Sequence, residues 1–289
     1  MTSQALAPYT VVAFNAAKLS ENKMHDDTVA KRFGFTGGLV PGVDVFAYMS
    51  HAPLALWGRS YLERGHMSGR FGKPLYEGQT ATVTALERDG GLDVTIESQG
   101  IVCGTARATL PAAASLTAVG SAAVGPAAVG PDAASPLALA DFGQGTPPAH
   151  EQRPPADERS YRPGAWLGIH PFVFSAEQQA TYLKDIGERD PLYAEQGILH
   201  DGTLLRACNW VLTHNARMGP WIHVGSTVQH LATGHVGDQI SVRAQVLRNY
   251  ENKGHKIVEL DVLIVANGST PIARVAHAAI YEPRQVRVA

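Results

Sequence analysis

The chain has 289 residues, of which 45% are hydrophobic and 17% charged, enough to bury a substantial core and to build two domains of ordinary size. A formal net charge of -2 with no long basic run leaves no electrostatic footprint for nucleic acid or for an anionic membrane. No apolar stretch approaches the roughly 18 residues that span a bilayer, and MTSQALAPYTVVAF lacks a charged leader followed by an apolar run, so a cytoplasmic protein is expected.

After this first, strand-like segment comes Glu21 to Gly42, ENKMHDDTVAKRFGFTGGLVPG, a polar loop carrying His25 just ahead of a glycine-rich helix entry. The free amides of a helix start can polarise a carbonyl, and a nearby imidazole moves protons near neutral pH, a combination suited to thioester chemistry. Asp27 reads as the cap of a short helix. A mostly apolar helix follows over Gly42 to Trp57, with a break expected near Pro53. A helix apolar on nearly all sides asks to be wrapped, and alternating strands at Thr80 to Leu86, Gly91 to Ser98 and Thr105 to Leu110 supply an antiparallel sheet to wrap it. Arg70 and Lys73 read as solvated strand-end charges, with the phosphates of a CoA or carrier arm as the functional alternative.

From Pro111 to about Arg162, Ala, Gly, Pro and Ser dominate, and the segment reads as a linker laid loosely on the surface. The expected units are therefore 1–112, a linker 113–162, and 163–289. The second half repeats the first. GLVPGV at Gly38 resembles GILHDG at Gly197, and Gly78 in KPLYEGQTATVTA matches Gly237 in TGHVGDQISVRAQ; both offsets are 159 (197 − 38 and 237 − 78). A second helix is expected over Gly202 to Asn215, with strands at Gln239 to Leu247, Lys256 to Val265 and Thr270 to Tyr281. Two wrapped helices in one chain should pack as a pseudo-dimer with their sheets joined edge to edge.

The copies differ where chemistry is expected. Tyr193 stands in place of His25, at an offset of 168, so nine residues are missing before the following glycine, and with them the short helix beside the site. His200 falls opposite Pro41. His223, His230 and His235 lie close together, but their alternation along a strand and the lack of a nearby carboxylate or cysteine argue for structural roles; no metal is expected. Cys103 and Cys208, each in apolar company, read as buried thiols and not as a disulfide or a thiolate site. No phosphate-binding loop, dinucleotide fingerprint or nucleophile elbow is present.

Asn22, Met24, His25, Asp27, Ala30, Gly34, Phe35, Gly38, Val40 and Gly42 fall in step with a pattern of the MaoC-like group, the R-specific enoyl-CoA hydratases and dehydratases, which the chain resembles across Ser20 to Val43. The resemblance implies an α+β double hot-dog fold, each half an antiparallel sheet around a central helix. It implies hydration or dehydration of an acyl thioester, with His25 as acid/base, Asn22 as orienting group, and the amides of Gly42 and Val43 on the enolate oxygen; apart from the resemblance, Tyr193 reads as an ordinary half-buried tyrosine, with a donor to the ligand from across the pseudo-dimer as the functional alternative. CoA or phosphopantetheine would arrive with the substrate, an acyl-carrier protein could present it, a homodimer is compatible, and no metal or redox cofactor is called for. Two departures stand out. Ser20 occupies the place of the family's aspartate, which orients the reacting water, and Lys23 that of its proline; Glu21 or Asp26 are the carboxylates available to substitute. The rival readings are a hot-dog thioesterase using Asp44 and a non-catalytic acyl-binding protein.

Overall fold

The computed structural model describes residues 4–112 and 139–284. In chain order the first half contains β1 (Gln4–Ala5), β2 (Tyr9–Val12), α1 (Asp27–Arg32), α2 (Gly42–Trp57), α3 (Arg59–Arg64), β3 (His66–Phe71), β4 (Thr80–Arg88), β5 (Gly91–Ser98) and β6 (Ile101–Thr109). The second contains β7 (Trp166–Gly168), β8 (Phe172–Val173), α4 (Ala176–Ile186), α5 (Pro191–Gln196), α6 (Asp201–Asn215), β9 (Ile222–His230), β10 (Gln239–Asn252), β11 (His255–Ala266) and β12 (Thr270–Glu282).

The two long helices explain the architecture. Every residue of α2 from Val43 to Ser50 is buried, as is most of α6, whose half-buried face, Arg206, Asn209, Trp210, Thr213 and His214, turns toward a cavity. Each is enclosed by its own half's antiparallel strands and packs against the other helix. The strands run as hairpins whose tight turns, such as Asp89–Gly90 and Lys253–Gly254, hold both residues at positive φ, the geometry that matches the twist of paired strands.

All strands join one twelve-stranded sheet, β1-β4-β5-β6-β3-β9-β12-β11-β10-β7, with β2 paired to β4 and β8 to β10. The halves meet edge to edge through antiparallel β3 and β9. Ser68 faces Thr227 there, their hydroxyls 2.8 Å apart. Because 227 − 68 is 159, the repeat offset, these two equivalent residues pair with each other and mark the pseudo-twofold axis. Joining the edges leaves neither β3 nor β9 with a free row of N–H and C=O groups.

Three expectations change. Helix α2 runs through Pro53 to Trp57 without a break, since burial through Leu54 holds a turn that has lost one backbone donor. The second half keeps a short helix, α5, with Tyr193 inside it. The linker divides: residues 113–138 lie outside the described residues, whereas 139–162 form a strap packed on the second half. Phe142 is buried against Leu263 and Val265, and Tyr161, fully buried, donates to the Leu212 carbonyl at 3.1 Å. These side chains, inconspicuous in a Pro- and Ala-rich stretch, hold the strap down through apolar burial.

Candidate functional site

His25 ends a short 3-10 turn, Lys23–His25, capped by the Asn22 side chain, which accepts from Met24 N at 3.1 Å. The turn fixes the imidazole. His25 Nδ1 lies 2.7 Å from the Leu39 carbonyl, which can only accept, so Nδ1 carries the proton. Asn22 is oriented just as firmly: its oxygen accepts from the amides of Met24 and Trp221, and its nitrogen donates to the Trp221 carbonyl at 3.0 Å and to His25 Nε2 at 3.2 Å. His25 Nε2 is therefore unprotonated, an acceptor toward Asn22. Burial pushes the His25 pKa below the usual imidazole value, partly opposed by the Leu39 bond. Asn22 also ties the two halves together, because Trp221 belongs to the second.

The loop around His25 depends on carboxylates in supporting positions. Asp26, not Asp27, caps α1, accepting from Thr28 N and Val29 N. Asp27 reaches forward to Gly38 N at 2.7 Å and pins the glycine run against the His25 turn. Asp26 gives one oxygen to both the Thr28 and Val29 amides. Glu21 faces outward, bonded to Arg153 at 3.0 Å and to His150 at 2.6 Å, and the Arg153 bond lowers its pKa. Asp26 lines neither cavity at His25, and Glu21 reaches one of them only as the partner of Arg153 and His150.

Two cavities of about 260 Å3 each meet at His25. Both are lined by Asn22, His25, Pro41, Asn209 and Trp221. The first is mainly apolar, walled by Phe35, Val45, Phe71 and Leu75, and has Gly42, the first residue of α2, on its lining; Gly72 and Lys73 line its exposed end. Arg70 lies outside it, on a shallower depression over β3 and β6. The second carries more polar side chains, Ser20, Glu21, Arg153, Arg206 and His214, and Val43 also lines it. At the start of α2 no side chain caps the free amides, since Pro41 stands at that place. A side chain at Gly42 has no room: its Cβ would lie 2.8 Å from His223 Nδ1 and 3.1 Å from the Phe71 ring.

Four buried polar atoms on these linings have no partner: Ser20 Oγ, Asn209 Oδ1, Trp221 Nε1 and His223 Nδ1. Polar groups left unpaired in a native interior need an explanation, and a polar ligand or water in the crevice supplies one. Sequence reasoning missed three of these, because Asn209, Trp221 and His223 belong to the second half and reach the site only through the pairing of the halves. The repeat carried one signal: His223 maps onto Arg64 (223 − 159), a mismatch in type.

The other expected groups lie elsewhere. Tyr193 is fully buried and packs on His200 with ring centroids 4.3 Å apart; it lines neither cavity, which corrects its assignment as a substrate donor. His200, also fully buried, caps α6 by accepting from Gly202 N at 3.1 Å. At the place equivalent to the His25 crevice the second half thus holds two side chains that are both fully buried, Tyr193 and His200. Asp44 is buried inside α2, where one oxygen takes both the Tyr182 hydroxyl and Arg206, each at 2.9 Å. His230 contacts Asp201 at 3.2 Å, and His235 bonds Thr233 in a turn. Among the described residues no group of His, Cys, Asp and Glu is arranged to hold a metal, and no helix is long and apolar enough to cross a membrane. Both cysteines are buried and free.

No family model matches the sequence, and no curated protein matches it significantly. Solved structures do match along nearly the whole chain. A MaoC domain protein dehydratase from Chloroflexus aurantiacus J-10-fl superposes with a TM-score of 0.60 at 10% identity, covering 99% of this chain and 95% of that one. A conserved hypothetical protein of Mycobacterium tuberculosis, described as having a double hotdog fold, gives 0.58 at 15% identity, with 97% and 96% covered. This chain is a double hot-dog. A structure described as a MaoC-like dehydratase agrees, at 0.58 and 12% identity over 97% of this chain and 98% of that one. In this double hot-dog the repeat, the joined sheets and the crevice between halves follow one plan, with His25 from the first half and His214, His223 and His255 from the second on the cavity linings.

Proposed function

We propose that the protein hydrates an enoyl thioester, or dehydrates the corresponding 3-hydroxyacyl thioester, with His25 as the proton carrier. The observation that carries this reading is the His25 imidazole itself: neutral, held in one tautomer with Nε2 unprotonated, where two cavities meet beside the uncapped start of α2. The fold shared with structures described as dehydratases is in keeping with it.

In the hydration direction a water adds its oxygen to C3 of the alkene while one of its protons passes to His25 Nε2. The electron pair moves through C2 to the thioester oxygen, where the amides of Gly42 and Val43 stabilise the enolate. His25 then returns the proton to C2, so a single base serves both half-steps and the elements of water are added without residue. A depressed pKa suits this task, because the ring stays unprotonated at neutral pH. The apolar cavity would take the acyl chain or the pantetheine arm, with Lys73 at its exposed end placed to meet a CoA phosphate or an acidic carrier surface.

Hydrolysis is less well served. A hot-dog thioesterase would need a free carboxylate, and Asp44, the candidate, is bound by Arg206 and Tyr182 away from both cavities.

The test offers the purified protein crotonyl-CoA and R-3-hydroxyacyl-CoA thioesters while following alkene absorbance and free thiol. Alkene change without thiol, lost in His25→Ala, is expected. Thiol release, or unchanged alkene turnover in that variant, would overturn the reading.

A further inference from the structure

A hydration needs its water held in line with the alkene, and here the serine at position 20 leaves no carboxylate to do so. The second half places a different group there. His223, 6% exposed, lies one residue into β9 with its ring edge-on to Phe71 at 5.0 Å and stacked on His277 at 4.4 Å. Its Nε2 is 2.9 Å from Ser226 Oγ, and the same hydroxyl is 2.9 Å from His277 Nδ1. Its Nδ1 has no partner and borders the apolar cavity beside Gly42.

The proton can be assigned. Nδ1 lies beside Gly42 at the uncapped start of α2, whose positive end favours an acceptor there, so the proton is placed on Nε2. The order is then Nε2–H of His223 to Ser226 Oγ, and the Ser226 hydroxyl to His277 Nδ1. Nδ1 of His223 is left as a bare acceptor, the form favoured next to the positive end of a helix. Gly42 is needed for this arrangement, because any side chain there would occupy the space that Nδ1 faces.

We propose that His223 Nδ1, held as an acceptor by the Ser226–His277 relay, positions the reacting water in the crevice opposite His25. One water proton is accepted by His25 Nε2, as in the step above, while the other stays on the oxygen and bonds to His223. No proton is transferred to His223, which is a positioning residue. The inference rests on the hydratase reading and adds to it a contribution from the half that lacks the proton carrier.

The test separates water addition from proton transfer at C2. Crotonyl-CoA hydration and the exchange of C2 protons of butyryl-CoA in D2O, a reaction that needs no added water, are measured for the wild type, His25→Ala, His223→Phe, His223→Asn and His223→Gln. In His223→Phe, which keeps the stacked ring, hydration kcat should fall on the order of 100-fold with KM within about threefold, while exchange falls by less than about threefold. An Asn side chain puts an acceptor near the Nδ1 position and a Gln near Nε2, so His223→Asn should recover about tenfold of the loss and His223→Gln should not. Unchanged hydration in His223→Phe, equal loss of both reactions, or equal behaviour of the Asn and Gln variants would overturn the role of His223. A wild type that exchanges without hydrating would also overturn it while leaving His25 as a base. A wild type that does neither would overturn the hydratase reading itself. Should the Phe variant fail to fold, the Asn and Gln pair still decides.

Discussion

Replacing Arg206 with Met tests how the two halves are held at the site. Asp44 sits inside α2 with no exposed side-chain surface, and one of its oxygens receives both Arg206 from α6 and the hydroxyl of Tyr182 from α4. The guanidinium also lies over the Tyr182 ring at 5.4 Å. Removing it strands a buried carboxylate with a single hydrogen bond, and breaking a buried pair on one side costs about 3–5 kcal/mol. Unfolding entropy of about 2.1 cal/mol/K per residue gives roughly 0.6 kcal/mol/K for this chain, so Tm should fall by about 5–8 °C. The decisive assay is a double-mutant cycle in urea with Asp44→Asn, Arg206→Met and both together. Neutralising the carboxylate removes the reason for the loss, so the double variant should recover most of it, with a coupling of at least about 2 kcal/mol. Additivity within about 0.5 kcal/mol, or a change in Tm of under about 1 °C in Arg206→Met, would refute the argument that this pair clamps the helices.

Gly42→Ala should cost about 1–3 kcal/mol of stability and lower activity, because the added methyl meets His223 and Phe71, whereas Gly219→Ala, with open space around it, should leave the melting temperature nearly unchanged; equal effects in thermal melts would contradict the close-approach argument. Ser20→Asp places a carboxylate in the second cavity beside Arg153 and Arg206 and should raise turnover of simple enoyl thioesters by adding a second hold on the water that His223 positions, while an absence of gain would mean that position 20 is not aimed at the reacting water. Stability should fall as pH drops below about 6.5. The folded rings of His223, His214 and His277 stay neutral through burial, with His214 pushed down to about 4 and His223 to about 3, while the unfolded chain takes up those protons. The unfolded state therefore binds more protons in this window, and buried His223 alone removes about 1.4 kcal/mol per pH unit. A urea midpoint that is the same at pH 7 and pH 5 would show that these rings are not buried neutral.

Much of the fold was legible before any coordinates. The strand and helix positions follow from periodicity, and α2 and β5 span the residues that the pattern predicts, Gly42–Trp57 and Gly91–Ser98. Glycine spacing revealed the repeat, and its offset of 159 recurs in the Ser68–Thr227 pair at the centre of the sheet. The break at Pro53 was not realised, because local backbone preference yields to the burial of the helix through Leu54. The strap at 139–162 was missed because composition describes an average, while Phe142, Tyr161 and Arg153 act singly, through where they land.

The sequence by itself determined the duplicated plan, the wrapped helices and the loop that carries His25, since all three are written in spacing along the chain. It also showed that the second copy lacks a histidine at that place. Tertiary structure alone decided that Tyr193 is sealed in the core, that Asp44 is bound to Arg206, and that Asn209, Trp221 and His223 border the crevice. Those facts depend on which surfaces the two halves turn toward each other. Hydrogen bonds and packing between residues some two hundred positions apart, such as Asn22 and Trp221, leave no periodic trace in either partner's own segment.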